Sequence, residues 1–138
     1  MENPEISPAE GRLGVLLPGM GAVATTTIAG VLLVRKKLAT PIGSLTQMNT
    51  IRLGQRTDNR TPLIKDFIAL AELDDIVFGG WDPIPDNAYE SAVNAGVLSA
   101  EHLDPIKDEL SAIAPMSAAF DTAYVTRLEG PNKKTGAD

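Results

Sequence analysis

The stretch Arg12 to Lys37, RLGVLLPGMGAVATTTIAGVLLVRKK, constrains the chain more than any other. Leu13 to Leu17 is a short, wholly apolar run rich in leucine and valine, the pattern of a strand in a parallel sheet covered on both faces. Gly19-Met20-Gly21-Ala22-Val23-Ala24 follows at once and fits G-x-G-x-x-A. In a strand–turn–helix unit of this kind the first glycine permits the tight turn. The second lets a phosphate approach the backbone, and a small third residue lets helix and strand pack closely. Thr25, Thr26 and Thr27 are expected to open the helix, where free amide hydrogens and the dipole attract an anion. The order of these residue types predicts a nucleotide-binding unit.

Two other readings fit the same stretch. A glycine turn that merely joins two buried elements has the same spacing. No charge interrupts Leu13 to Val34, so the run is also long enough to cross a bilayer, with Arg35-Lys36-Lys37 as a cytoplasmic flank. Against a span stand Pro18, the clustered glycines and three successive threonines, which mark a break between two shorter elements. The expectation is therefore no membrane.

A chain of 138 residues has room for one domain with a core, and it shows no internal repeat. A net charge of -6 argues against nucleic acid, since a phosphate backbone needs a basic surface to release its counterions. The absence of cysteine excludes thiolate chemistry, disulfides and cysteine-ligated zinc, and is compatible with a reducing compartment. Residues 1–10, MENPEISPAE, are acidic and proline-bearing, the opposite of an export signal, and are expected to be a loose lead-in to a domain over residues 11–138.

After the first helix, Leu38 to Pro62 has no helical period and carries Pro41, Gly43, Gly54 and Pro62. It is predicted to be a structured excursion, with brief strands at Leu45 and at Ile51-Arg52-Leu53. A simple dinucleotide fold places an acid about twenty positions beyond the glycines to hold the ribose. None stands there; Asp58 is the first acid after the turn and reads as a solvated loop residue. Leu63 to Leu70 fits either a strand or a short helix.

Asp74-Asp75-Ile76-Val77-Phe78-Gly79-Gly80-Trp81-Asp82 reads as a second buried strand, entered by two acids and left through two glycines. Strands alternating with helices imply a parallel sheet, and ligands bind beyond the carboxyl ends of its strands. If the two strands are neighbours, Asp82 faces the crevice onto which the glycine turn opens, placed to accept hydrogen bonds from ribose hydroxyls. The competing role for Asp82 is a turn or helix cap. Asp74 and Asp75 precede the strand and read as solvated. Trp81, the only tryptophan, either packs under the loop or stacks on a ligand.

Pro85 to Asn94 reads as a helix capped by Asp86 and stopped by Gly96. A further helix begins at Ser99, with Leu103, Ile106, Leu110 and Ile113 as its apolar stripe. His102, the only histidine, lies in its first turn and reads as a surface residue rather than a base. Met116 to Arg127 has room for one more strand or helix, and residues 129–138 read as a polar loop.

Several of these segments together resemble one family. The glycine turn, Gly43-Ser44-Leu45-Thr46-Gln47, Asp75-Ile76-Val77-Phe78-Gly79-Gly80-Trp81-Asp82 and Val97-Leu98 occur in the order seen in the amino-terminal part of inositol-3-phosphate synthase, from about Gly11 to the end. The resemblance implies an α/β, Rossmann-type parallel sheet with flanking helices, a partial domain of a longer two-domain enzyme. It implies NAD as cofactor, glucose 6-phosphate as substrate of the complete enzyme, a homo-tetramer and a cytoplasmic location. The reaction it implies is oxidation, intramolecular aldol cyclisation and reduction to myo-inositol phosphate. The family's pyrophosphate turn falls on Gly19, Met20, Gly21, Ala22, Val23 and Ala24, and its ribose-binding aspartate on Asp82. Eukaryotic relatives carry more glycine and asparagine in the turn, so only backbone contacts carry over there. The family's catalytic lysines fall beyond residue 138, so no catalytic residue and no metal ligand is assigned here, and the expectation is a fragment inactive alone. The alternative is a stand-alone nucleotide-binding module without catalysis.

Overall fold

The computed structural model describes residues 10–121 and 123–135. Four parallel strands, β1 (Leu13–Pro18), β2 (Ile76–Asp82), β3 (Met116–Ala119) and β4 (Lys133–Lys134), form one sheet in the order β1-β2-β3-β4. Helices flank it, giving the expected α/β, Rossmann-type arrangement. β1 and β2 are neighbours, paired from Leu13 with Ile76 to Pro18 with Trp81, so their carboxyl ends meet. Residues 1–9, the bulk of the expected lead-in, lie outside the described residues.

The apolar run from Leu13 to Val34 is divided at the glycines into β1 and the 14-residue helix α1 (Ala22–Arg35). No helix among the described residues is long and apolar enough to cross a membrane. The positive φ of Gly19, 106°, turns the chain where a side chain would be strained. α1 starts at Ala22 with Gly21 as N-cap, so Thr25–Thr27 do not open it. Thr25 is buried and its hydroxyl donates to the carbonyl of Gly21 (3.0 Å), while the hydroxyl of Thr27 donates to that of Val23 (2.8 Å). These back-bonds satisfy hydroxyls inside the helix rather than capping it.

One face of the sheet is covered. Ile28, Ala29, Leu32 and Leu33 of α1 pack with Met20, Ala88, Ala92, Leu103, Ile106 and Leu110 in a buried layer, against which Leu17 and Phe78 rest. Covering on both faces is not met among the described residues: Leu16 is 58% exposed, and Val77 and Trp81 are also open. Side chains alternate along a strand, so these residues share the face opposite α1.

After the one-turn helix α2 (Leu45–Met48) comes α3 (Ile64–Phe67), the short helix of the two readings for Leu63 to Leu70. The excursion over Leu38 to Pro62 itself holds α2 and a 3-10 turn (Arg56–Asp58). In place of the expected short strands it has only the single bridges Thr50 with Leu63 and Leu53 with Arg60; Leu45 starts α2. The entry into β2 is fixed by Arg35, whose guanidinium donates to the carbonyls of Leu73 and Ile76.

α4 (Ala88–Ala95) is capped by Asn87 rather than Asp86. The Asn87 side chain accepts from the amides of Tyr89 and Glu90, and Glu90 accepts in return from the amide of Asn87, a complete capping box. Asp86 instead accepts from the side chain of Asn94 (2.8 Å). Gly96 ends the helix at φ 65°, as expected. The following helix is broken into α5 (Ala100–Leu103), a 3-10 turn (Asp104–Ile106) and α6 (Lys107–Ser111). Pro105 lacks the amide that a continuous helix would use, yet Leu103, Ile106 and Leu110 are still buried together.

Candidate functional site

The site is built where β1 and β2 end. β2 runs through Gly79 and Gly80 to Asp82, so the glycines lie inside the strand and Asp82 is its last residue. A Cβ on Gly80 would stand 2.4 Å from the carbonyl oxygen of Leu17 and 2.9 Å from the sulfur of Met20. Glycine is therefore what allows β2 to lie this close to the turn leaving β1.

Asp82 joins the two strand ends. Its Oδ2 accepts the amide hydrogen of Met20 at 2.7 Å and its Oδ1 that of Ile84 at 2.9 Å. The Gly19 amide donates to the carbonyl of Trp81 at 2.8 Å, a second tie between turn and strand. The capping role anticipated for Asp82 is thus present as a clasp on two loop amides. It does not exhaust the carboxylate, because each oxygen has a second lone pair.

The residues of the turn divide by what they face. Met20 has its amide on Asp82 and its side chain in the core, 1% exposed. Gly21 is extended at φ -75°, and a Cβ there would meet nothing within 4 Å. Neither conformation nor packing within the chain demands glycine at this position; the open space above its backbone is what a close-approaching anion needs. No side chain caps α1, and no acidic residue stands in its first turn. The amides of Ala22, Val23 and Ala24 accordingly begin the helix without the intrahelical partners that later residues have. Val23 is 83% exposed beside them.

Two open crevices flank the turn. One, of about 430 Å³, is lined by Met20, Gly21, Ala22, Asp82, Ile84 and Asn94. The other, of about 380 Å³, is apolar and includes Gly19, Trp81, Pro83, Phe120, Val125 and Leu128. Trp81, 37% exposed, belongs to this second wall. Asp74 lies in the 3-10 turn before β2, its side chain 84% exposed and 3.9 Å from Arg35, away from the site. His102 is exposed and its Nδ1 pairs with the hydroxyl of Ser99. Among the described residues no three histidine, aspartate or glutamate side chains gather as a metal site.

The sequence reading missed Asn132. It stands in the tail read as a loop, yet its side-chain amide donates to the carbonyl of Asp82 at 2.9 Å. No local pattern marks it, since the partner lies 50 positions earlier.

Comparison with known proteins gives a consistent result. A family model described as Myo-inositol-1-phosphate synthase, of an NAD-binding class, matches residues 13–138. Inositol-3-phosphate synthase 1 of Bacteroides thetaiotaomicron is 56% identical over 134 residues, covering 96% of this chain and 30% of that protein. Inositol-3-phosphate synthase isozyme 1 of Arabidopsis thaliana is 28% identical over 131 residues, 86% of this chain and 26% of its own length. The crystal structure of inositol-3-phosphate synthase from Caenorhabditis elegans superposes with a TM-score of 0.68 at 20% identity, covering 88% of this chain and 28% of that one, a likeness of fold. The chain thus spans under a third of the length of these relatives, and it belongs to the myo-inositol-1-phosphate synthase family.

Proposed function

We propose that this chain is the amino-terminal, NAD-binding part of an inositol-3-phosphate synthase, one that converts glucose 6-phosphate to myo-inositol phosphate. The observation that carries the reading is the clasp of Asp82 on Met20, at 2.7 Å, which brings an acid to the mouth of a glycine turn. Gly21 and the amides of Ala22, Val23 and Ala24 would hold the pyrophosphate. Asp82 would accept from the ribose, and Gly19 and Met20 hold the turn in the shape that makes both available. Bound NAD supplies a hydride acceptor and donor for an oxidation that is later reversed. The residues on this chain bind and orient it; none is assigned to the oxidation or the aldol step. Alone, these residues bind the cofactor without turnover. The substrate, a homo-tetramer and a cytoplasmic location belong to the same proposal.

Titration of the chain with NAD, followed by Trp81 fluorescence, tests it. Quenching that is lost in Gly21→Asp, where a charge meets the pyrophosphate, is the expected result. A folded sample that NAD does not perturb, by fluorescence or by calorimetry, sinks the binding role. Turnover of glucose 6-phosphate by residues 1–138 alone would refute the absence of catalytic groups.

A further inference from the structure

We infer that Asn132 is a positioning residue for the cofactor site, holding Asp82 at the angle from which its carboxylate meets a ribose. The inference rests on the reading of Asp82 as the ribose acceptor. Every polar group of Asn132 is engaged. Its Nδ2 donates to the carbonyls of Asp82 (2.9 Å) and Met116 (3.2 Å), and its Oδ1 accepts from the hydroxyl of Ser117 (2.9 Å). Its backbone amide donates to Pro83 (2.8 Å) and its carbonyl accepts from Ala118 (3.0 Å). Asp82 and Ser117 are paired in the sheet, so the side chain ties the last residue of β2 to the first two residues of β3, where the ladder between the strands stops.

Two features mark this as a fitted contact. The segment Gly130 to Asn132 crosses the end of β2 as a strap, and it approaches so closely that a Cβ on Gly130 would stand 2.2 Å from the carbonyl oxygen of Pro83, so only glycine lets the strap lie there. The side chain also needs two donors facing carbonyls and one acceptor facing a hydroxyl, an arrangement that asparagine supplies and isosteric aspartate does not. The backbone of Asp82–Pro83 is thereby held from the β3 side, while the carboxylate is held from the turn by Met20 and Ile84. A ligand contact needs its first group fixed within about 0.5 Å, and such fixing comes from supporting hydrogen bonds.

The test is a double-variant cycle in the full chain as expressed from its own gene, with NAD affinity read by calorimetry and a melt showing each sample folded. Asp82→Ala is expected to weaken NAD by roughly 5–150-fold and Asn132→Ala by roughly 3–10-fold. The double variant should be no weaker than Asp82→Ala, because the strap acts only through that carboxylate. A purely structural strap would instead multiply the two losses. Multiplied losses, or unchanged affinity in folded Asn132→Ala, overturn the positioning role and leave Asp82 in place. Unchanged affinity in folded Asp82→Ala overturns both. Should Asn132→Ala not fold, Ser117→Ala loosens the same amide by one bond and enters the same cycle, with a loss of about twofold that must vanish on the Asp82→Ala background.

Discussion

The Oδ2 atom of Asp82 accepts the amide hydrogen of Met20 across 2.7 Å, a bond between residues 62 positions apart that fastens the end of β2 to the turn leaving β1. One side chain thus has two duties, holding the turn and offering its remaining lone pairs to a ligand. Asp82→Ala should weaken NAD by about 1–3 kcal/mol, from the worth of an ordinary hydrogen bond up to that of one to a charged group. It should also lower stability by a similar amount, because the amides of Met20 and Ile84 lose their acceptor. Calorimetry and a denaturant titration separate the two, and unchanged affinity in a folded variant would leave Asp82 as a clasp alone.

The charge of Asp82 also bears on which dinucleotide is accepted. A phosphate on the ribose 2′-hydroxyl would bring a second anion against the carboxylate, a repulsion of about 1–4 kcal/mol between partly and fully solvated limits. NAD is therefore expected to bind more tightly than NADP, and Asp82→Asn to narrow the gap. Competition titrations of both cofactors check this; an unchanged preference in Asp82→Asn would place the discrimination elsewhere.

Gly19 and Gly21 should respond differently to alanine. Gly19 sits at φ 106°, so Gly19→Ala forces a side chain into a strained backbone and should destabilise the fold by about 1–2 kcal/mol. Gly21 has an ordinary φ and no neighbour within 4 Å of a Cβ, so Gly21→Ala should leave the melting temperature near that of the parent. Its NAD affinity should nevertheless fall, because the methyl group occupies the space through which a phosphate reaches the helix amides. A loss of stability without a loss of affinity in Gly21→Ala would reverse this assignment.

Gly80→Ala tests the contact between the strands. The new methyl would meet the Leu17 carbonyl at 2.4 Å, and backbone on backbone cannot rotate away. β1 and β2 would have to part, at about 1–3 kcal/mol as for other overpacked sites. Denaturant unfolding measures the cost, and a neutral result would mean that the strands are less closely apposed than 2.4 Å implies.

What could be read from the sequence follows the range of the interactions involved. β1, the turn and α1 form a consecutive unit, so apolar period and glycine spacing located them, and Asp82 was found at the end of the second apolar run. The starting point of α1 was misjudged by three residues because threonine suits both a cap and a back-bonded interior site, as Thr25 does. The cap of α4 was misjudged by one, since Asp86 and Asn87 are both good caps and only the partnership with Glu90 decides between them. Whether the sheet is covered on both faces is not a local property, and Leu16 shows it by lying exposed in an apolar strand. Asn132 was out of reach for the same reason: its partners Asp82, Met116 and Ser117 come to it only through the sheet.

The acid limb of stability should depend on Lys36 and Glu109. The ammonium of Lys36 pairs with Glu109 and also donates to the carbonyl of Pro105 at 2.8 Å, tying the end of α1 to the segment that carries Ile106. The hydrogen bond from Lys36 holds the Glu109 carboxyl below its ordinary 4.5, helped by a backbone hydrogen bond and the lysine's charge and opposed by burial. A carboxyl whose folded value is depressed contributes stability that is complete above the unfolded value and is lost as pH falls through the folded one. Both side chains are more than a third exposed, so solvent screening limits the pair to about 0.2–1 kcal/mol. Lys36→Met should therefore be less stable than the parent at about pH 7 and approach it at about pH 3, leaving only the offset from the Pro105 bond. Urea titrations at the two pH values measure this, and a difference that stays constant with pH would show that Lys36 acts through Pro105 alone.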